Sequence, residues 1–401
     1  MKRLFRKAGV VLMTAGALTL AACGGGSLGG GGQEASDDVI KIGLMVPETG
    51  TYAPLGEQMR DAAEFYLKQQ DDKFGDRKVE LVIADTAANP ETAKSKAKEL
   101  MLRDGVDVIT GLVASPAAAT VAEEANANKV PIVIANAGAD DLTKSGASKY
   151  VWRVSYQNYQ HGYAAGVYAA KEYGPSGGVF IGADYSAGAE YRDGFIDGYK
   201  SGGGGELAAE IMTPFGKTQN YQPFLGQIPK DAKFVVGFYA GGEAITFVKN
   251  WEEFGYKKRV PLIGAQNLTD EDILPAIGDA GLDVITVGMY SPALDNPANE
   301  QFLKDWQAEF DGRSPSVMAV ATTDAMKLIH RAAEGVEGDL TAEALADALG
   351  QVDDLESPRG PMEIDPDTHN PNQKYYVRKL EKDGDWYRNT VIDEVESKVR
   401  S

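Results

Sequence analysis

Cysteine and histidine are nearly absent from this chain. Cys23 is the only cysteine, so a disulfide within the chain cannot form, and a cysteine-based metal site is not expected. The three histidines, His161, His330 and His369, fall in separate segments without the spacing of a zinc site. We find no constellation of catalytic side chains, and we therefore expect no enzyme activity, no metal and no cofactor.

Positive charge is also scarce. The chain has 40 basic and 59 acidic residues, which gives a formal net charge of −19 at pH 7. Nucleic-acid-binding proteins need a basic face, so the composition argues against a nucleic-acid partner. The deficit grows if residues 1–22 are removed, because this segment has four positive and no negative charges, and removal takes −19 to −23.

A long hydrophobic run is missing beyond the N-terminus, and the run at the N-terminus is short. Four basic residues precede an uncharged, apolar stretch from Ala8 to Ala22, the pattern of a signal peptide. The stretch ends in Leu20-Ala21-Ala22-Cys23, which matches the box of bacterial lipoproteins. We expect residues 1–22 to be removed and Cys23 to carry lipid, and more than one acyl chain would hold the protein at a membrane surface. An ordinary cleavage site beside a chance cysteine is the alternative.

Residues 23–38 predict a flexible tether. Gly24 to Gly32 contain only one serine and one leucine besides glycine, and the following polar residues cannot form a core. The folded part is expected to begin near Val39. The remaining residues, about 360, are many for one core and suit two domains.

Short β-branched runs alternate with amphipathic stretches from Val39 onward, which predicts doubly wound parallel sheets of α/β class. Ser115 is predicted as an N-cap, with Pro116 in the first helical turn. The predicted strands are 41–46, 79–84, 106–110, 130–135, 150–154, 178–181, 207–212, 234–238, 260–263, 284–287, 375–380 and 386–390. The predicted helices are 56–70, 89–103, 115–128, 161–173, 187–200, 222–228, 242–254, 299–310, 317–334 and 341–349.

Several segments together resemble a known family, although no single one is specific. They are Ile42-Gly43-Leu44, Thr49-Gly50 and Gly56; Gly111 with Ser115; Val130-Pro131-Ile132-Val133 with Leu142-Thr143; Tyr150 to Arg153; and Pro358-Arg359-Gly360-Pro361. Their order and spacing resemble the leucine/isoleucine/valine-binding family of type I periplasmic binding proteins, from about residue 40 to 390. The resemblance implies two doubly wound lobes joined by three crossings. Lobe 1 would comprise residues 39–157 and 291–366, and lobe 2 residues 158–290 and 367–395.

The same resemblance implies a monomeric extracytoplasmic receptor that is anchored by lipid at the cell envelope. It would bind a small solute between the lobes and pass it to the permease and ATPase of an ABC importer. A sensory receptor that reports to a signalling partner is the alternative, because type I binding folds serve both uses. The expected lipid anchor favours transport.

The first lobe provides two candidate contacts. Ser115 follows a strand, where its hydroxyl and the helix N-terminus can hold a carboxylate, although it could serve only to cap its own helix. The loop Asn136, Ala137 and Gly138 is a contact segment in the family. Gly138 stands where amino-acid binders commonly place a threonine, and Asn136 could instead organise the turn.

The second lobe provides tyrosines. Tyr185 aligns with a tyrosine that covers the ligand in the family, and Tyr239 lies at a strand end that faces the cleft. Tyr52 on the first lobe is a further, weaker candidate. Each ring offers apolar area and a hydroxyl, and each could equally be ordinary packing.

Gln266 is the most informative departure from the family. Amino-acid binders carry an acidic residue at about this position, which pairs with the ligand ammonium, whereas an amide is neutral. Glu243, Asp270 and Glu271 lie nearby in the sequence and could substitute. Together with Gly138, Gln266 indicates a ligand other than an ordinary α-amino acid, such as an aromatic carboxylate.

Overall fold

The computed structural model describes residues 39–352, 354–384 and 386–400. The predicted signal peptide, the tether and the lipidation of Cys23 lie outside these ranges. Among the residues described, we find no helix that is both long and apolar enough to cross a membrane.

Helices and strands alternate through the described residues in close agreement with the sequence pattern. The strands are β1 Val39–Val46, β2 Lys73–Phe74, β3 Arg77–Asp85, β4 Val108–Gly111, β5 Ile132–Ile134, β6 Val151–Arg153, β7 Gly178–Asp184, β8 Ala209–Pro214, β9 Phe234–Phe238, β10 Leu262–Ala265, β11 Ile285–Gly288, β12 Asp354–Leu355, β13 Met362–Ile364, β14 Pro371–Asn372, β15 Tyr375–Asp383 and β16 Trp386–Val395. The α-helices are α1 Ala53–Gln69, α2 Pro90–Lys98, α3 Ser115–Asn128, α4 Asn158–Tyr173, α5 Ser186–Ser201, α6 Gln222–Leu225, α7 Gly241–Glu253, α8 Leu274–Ile277, α9 Pro297–Glu309, α10 Val317–Glu334 and α11 Ala342–Leu349.

The first sheet has the order β2-β3-β1-β4-β5-β6. Its pairs are parallel except for the short antiparallel pair β2–β3. Every residue of β4 and β5 is buried, as expected for central parallel strands with helices on both faces.

The second sheet has the order β16-β15-β11-β10-β9-β7-β8. Its core is parallel, but β15 pairs antiparallel with both β11 and β16, so the sheet is mixed. A hairpin therefore extends the parallel sheet at this edge. The chain passes between the two sheets after β6, again after β11, and a third time before β15. Two α/β lobes and three crossings confirm the predicted fold class, while the residue boundaries of the lobes stay a prediction.

Several local features, among them β2 and α8, were not predicted. The helix expected at 89–103 ends as an α-helix at Lys98, and a π-helical segment, Glu99–Asp104, follows it up to Gly105 with φ 65°. The strands β12, β13 and β14 form a separate small sheet. Each has only two or three residues, too few for a period-2 pattern to be recognised.

Helices α4 and α5 of lobe 2 approach each other closely through reciprocal glycines. A Cβ atom on Gly162 or Gly166 would lie 2.0 Å and 2.2 Å from carbonyl oxygens of α5. One on Gly194 or Gly198 would lie 2.1 Å from carbonyl oxygens of α4. Each pair is spaced by four residues, which places both glycines on one helix face.

One buried arginine contacts all three crossings. The Nε of Arg359 donates to Asp324 at 2.9 Å, and the Nη1 donates to Gln373 at 2.8 Å. Its Nη2 donates to the carbonyl of Val154, and Nη1 lies 2.7 Å from the sulfur of Met289. Val154, Met289 and Gln373 lie on the first, second and third crossings, so this guanidinium joins them at the hinge.

Candidate ligand-binding site

The carboxyl ends of strands from both sheets meet at a cavity between the lobes, where open α/β sheets bind ligands. Its free volume in this conformation is about 20 Å³, enough for about one water molecule, so the lobes and the lining side chains must separate to admit a solute. The lining residues are Tyr52, Leu55, Val113, Ser115, Asn136, Gly138, Tyr156, Asn158, Tyr185, Ala187, Phe238, Tyr239, Ala240 and Asn267.

Ser115 lies at the cavity as the first residue of α3. The N-cap position belongs to Ala114, which corrects the prediction that Ser115 is the N-cap. The Ser115 hydroxyl accepts a hydrogen bond from Asn158 at 3.3 Å, across the cleft. Its hydroxyl is therefore directed to the opposite lobe.

The loop after β5 forms one wall of the cavity. Asn136 donates to the carbonyl of Val113 at 3.3 Å, and its buried Oδ1 has no partner among the described residues. A Cβ on Gly138 would lie only 2.2 Å from the side-chain oxygen of Asn158. Asn158 thus occupies the space that a threonine at Gly138 would need, and this explains the glycine.

Arg153 at the end of β6 holds the same loop in place. Its Nη1 donates to the carbonyls of Ala139 at 3.1 Å and Tyr156 at 2.7 Å, and its Nη2 donates to Thr143. Burial lowers the pKa of Arg153 to about 10, which still leaves it charged at neutral pH. The structure does not bring Ala137 to the cavity. It is fully buried, and its carbonyl faces Arg153 at 3.4 Å.

Aromatic rings face the cavity from both lobes. Tyr52 and Tyr156 come from lobe 1 and the first crossing, and Tyr185, Phe238 and Tyr239 come from lobe 2. The hydroxyls of Tyr52 and Tyr185 lie 3.0 Å apart, so they link the lobes in this closed conformation. The ring of Tyr185 also stacks on a phenylalanine behind it, with centroids 4.2 Å apart.

Burial raises the pKa of Tyr52, Tyr185 and Tyr239. These hydroxyls therefore stay protonated and can donate as well as accept hydrogen bonds. Tyr239 already pairs with Thr213 at 3.2 Å.

Gln266 does not line the cavity, although the sequence placed it there. Its Oε1 accepts from the backbone amide of Met289 at 2.7 Å, and its side chain fills the space above Gly288. The next residue, Asn267, lines the cavity instead. β10 ends at Ala265, and Gln266 and Asn267 lie in the 3-10 turn that follows it, where the directions of successive side chains differ by about 120°.

Three polar lining residues were missed by the sequence analysis, namely Tyr156, Asn158 and Asn267, together with the apolar Leu55, Val113, Ala187, Phe238 and Ala240. Tyr156 and Asn158 follow β6, and the rule that ligands lie at the carboxyl ends of parallel strands could have found them. To find Asn267, the position of the turn after β10 had to be predicted to within one residue, and the sequence pattern is not that precise.

The cavity lining in the described residues includes no acidic side chain. Glu243 accepts from the amide of Gly216 at 2.8 Å, and burial raises its pKa to about 7. Asp270 is fully buried and pairs with Arg378 at 3.1 Å. Burial also raises the pKa of Glu271, which lies in the same cluster. None of the three acids proposed as substitutes for the family's acidic residue lines the cavity.

The model of a family described as periplasmic binding protein matches residues 39–385, nearly the whole described chain. The chain belongs to this family. A Leu/Ile/Val-binding protein homolog 6 of Brucella melitensis is 28% identical over 361 residues, which cover 88% of this chain and 91% of the relative.

Solved structures agree with this family assignment. A solute-binding protein of an ABC transporter from Rhodopseudomonas palustris BisB5, in complex with 3,4-dihydroxybenzoic acid, is 33% identical with a TM-score of 0.83. The match covers 90% of this chain and 99% of that one. A second R. palustris solute-binding protein, in complex with benzoate, is 31% identical with a TM-score of 0.83 and covers 90% and 98%.

The predicted family, the type I fold and the absence of enzyme function are confirmed by these matches. This periplasmic binding protein is an extracytoplasmic solute-binding protein of the ABC-transporter type, within the Leu/Ile/Val-binding family.

Proposed function

We propose that this protein captures a small aromatic carboxylate between its lobes and delivers it to an ABC importer. The observation that carries the proposal is the lining of the cavity, in which aromatic rings from both lobes surround a few neutral polar groups and, in the part of the chain that the structure describes, no acidic side chain.

The carboxylate end of the ligand would lie at Ser115. The first amides of a helix such as α3 are not satisfied within the helix, and the helix dipole favours negative charge there. The hydroxyl of Ser115, which accepts from the amide of Asn158, adds a neutral donor beside this helix end. A carboxylate can be bound in this way without a cationic side chain.

The ring of the ligand would lie among the tyrosines. Tyr52 and Tyr185 approach from opposite lobes, and Phe238 and Tyr239 complete the apolar wall. Offset or edge-to-face contacts between rings contribute about 0.5–1.5 kcal/mol beyond the apolar area that they bury. Because the free volume of the closed cavity is only about 20 Å³, the rings from the two lobes must move apart to admit such a solute.

An ordinary α-amino acid fits this lining less well. Its ammonium group would meet the neutral Asn267, since Gln266 is turned toward Met289. A neutral hydrogen bond contributes about 0.5–1.5 kcal/mol, against about 1.5–3 kcal/mol when a partner is charged. The benzoate and dihydroxybenzoate complexes of the R. palustris proteins, at 31% and 33% identity, support the same ligand class.

The proposed anchor and tether fit an import role. Lipid on Cys23 and the glycine-rich segment after it would keep the binding lobes near a permease in the membrane, and closure around the ligand would present both lobes together. This arrangement favours import over the sensory alternative.

Thermal unfolding with two ligand panels tests the proposal, after the protein has been unfolded and refolded to remove carried ligand. One panel contains benzoate, 4-hydroxybenzoate and 3,4-dihydroxybenzoate, and the other leucine, isoleucine and valine. A ligand at a hundredfold excess over its dissociation constant should raise the free energy of unfolding by about 2.7 kcal/mol. We expect this rise for at least one benzoate and not for the amino acids. A rise with the amino acids alone would refute the proposed ligand class.

A further inference from the structure

A short chain of hydrogen bonds leads from the cavity to a carboxyl group behind it. The side-chain nitrogen of Asn158 donates to Ser115 at 3.3 Å and to Glu190 at 2.7 Å. Asn158 and Ser115 line the cavity, whereas Glu190 lies on α5 outside the lining. The two N–H groups of this amide are thus shared between the two lobes. Glu190 is separated from the proposed carboxylate position by a single side chain.

The charged groups around Glu190 do not neutralise it. Asp140, from the loop of lobe 1, raises its pKa through its negative charge, although Arg400 pairs with Asp140 at 3.4 Å and the Asp140 backbone amide donates to Glu190. The positive charge of Arg153 acts in the opposite direction, but its guanidinium is engaged by the carbonyls of its own loop. The nearby Tyr185 stays neutral. Burial is the largest influence and, with Asp140, raises the pKa of Glu190 to about 7.

Closure of the lobes and binding of an anion both favour the protonated form of Glu190. Closure from an open form would remove water from Glu190 and bring it to Asp140 on the opposite lobe, as in this conformation. A ligand carboxylate at Ser115 then adds a second negative charge on the other side of Asn158. Both changes disfavour the ionised form of a carboxyl group, particularly where the local dielectric constant is low.

We propose that capture of a carboxylate ligand in this cleft is coupled to the uptake of a proton from solvent by Glu190. The coupling rests on the proposed function, because it requires an anionic ligand near Ser115. By linkage, ligand affinity then depends on pH. At low pH Glu190 is protonated before and after binding, so the dissociation constant does not vary. Between the pKa of the free protein and the higher pKa of the complex, the dissociation constant rises up to tenfold per pH unit. Above both it is constant again.

Isothermal titration calorimetry of the full chain with benzoate and 4-hydroxybenzoate measures this coupling directly. Both ligand carboxyls stay ionised from pH 6 to 8.5, because carboxyl pKa values lie near 4. Titrations in two buffers of different ionisation enthalpy give the number of protons bound. We expect net uptake that approaches one proton per ligand within this range, and a dissociation constant that rises with pH. Proton release, or binding with no proton exchange at any pH, would overturn the coupling.

Three variants assign the proton to a residue. Glu190→Gln keeps an acceptor for Asn158 without a titrating group, so it should bind with the low-pH affinity of the unchanged protein and exchange no proton. Glu243→Gln removes another buried carboxyl with a pKa raised to about 7, and Glu210→Gln removes a half-exposed one on the same lobe. Both should retain the uptake.

Two results would reassign the chemistry. Loss of the uptake in Glu243→Gln alone would place the proton elsewhere, and loss of binding in Glu190→Gln would make Glu190 a direct ligand contact; each overturns the proposal. If neither benzoate binds at any pH, the proposed function fails together with the coupling, whereas binding without proton exchange refutes the coupling alone.

Discussion

At the scale of single residues, the side-chain amides of Gln266 and Asn267, which follow β10, have different surroundings. Gln266 is fully buried, and its oxygen accepts from the amide of Met289, where the chain leaves β11. Asn267 faces the cavity between the lobes. The first amide stabilises the backbone near a crossing, and the second is available to a ligand.

Substitution of each amide by alanine should separate these two roles. Gln266→Ala leaves the buried amide of Met289 without its acceptor, so we expect the free energy of unfolding to fall by about 1–3 kcal/mol. Asn267→Ala should change stability little and weaken ligand binding by about two- to tenfold, the loss of one neutral hydrogen bond. Urea unfolding and calorimetric titration measure both quantities. If Gln266→Ala weakens binding without destabilising the protein, the assignment of the two roles is wrong.

The sequence predicted the position of the site better than its contacts. Ser115, Asn136, Gly138, Tyr185 and Tyr239 do lie at the cavity, because all follow strands whose carboxyl ends meet there. Gln266 and Ala137 do not, since the direction of a side chain in the turn after a strand depends on the local backbone, which the hydrophobic pattern does not specify. That these residues contact a ligand stays a prediction.

At the scale of helices, reciprocal glycines allow α4 and α5 of lobe 2 to pack at a short distance from each other. Four glycines, two on each helix, face carbonyl oxygens of the other helix. The spacing Gly162-x-x-x-Gly166 and Gly194-x-x-x-Gly198 is visible in the sequence, but only the structure shows that the two pairs interlock. The helices themselves were predicted from hydrophobic period and capping, which are local, whereas their distance is a tertiary property.

A methyl group added at this contact should be costly. In Gly166→Ala the new Cβ would lie 2.2 Å from the carbonyl oxygen of Phe195 and 2.5 Å from the amide nitrogen of Tyr199, so the helix backbones must separate. We expect a loss of about 1–3 kcal/mol in the free energy of unfolding, as for overpacked cores, measured by urea denaturation. Gly226→Ala is the matched control, because its φ is −61° and its Cβ would have 3.4 Å of room. Equal stability of the two variants would show that the helix contact is not tight.

Arg359 joins the crossings at the scale of the whole molecule. Both it and Asp324 are almost fully buried, and their ion pair is 2.9 Å long. The sequence marked Arg359 only as part of a family-like segment, because its partners lie up to 205 residues away and nothing local indicates them.

Removal of the Arg359 charge should destabilise the entire protein. Arg359→Gln leaves Asp324 buried without its cation, and we expect a loss of about 3–5 kcal/mol in the free energy of unfolding. A second change, Asp324→Asn, should recover part of this loss, because the two residues interact directly. Arg331→Gln, at an exposed ion pair, should alter stability by no more than about 0.5 kcal/mol. Thermal and urea unfolding distinguish these cases. Additive losses in the double variant would rule out a direct role of the pair.

The three chain segments that connect the lobes all contact the guanidinium of Arg359. This leaves the lobes little freedom except rotation about a common hinge axis. The shape of the closed form is then determined by the hinge and by the edges of the lobes, and hardly by the bound solute. Evolution can exchange the side chains that face the cavity, and so alter which solute fits, while the shape of the closed form stays the same. The hinge thereby separates the chemistry of recognition from the geometry of closure.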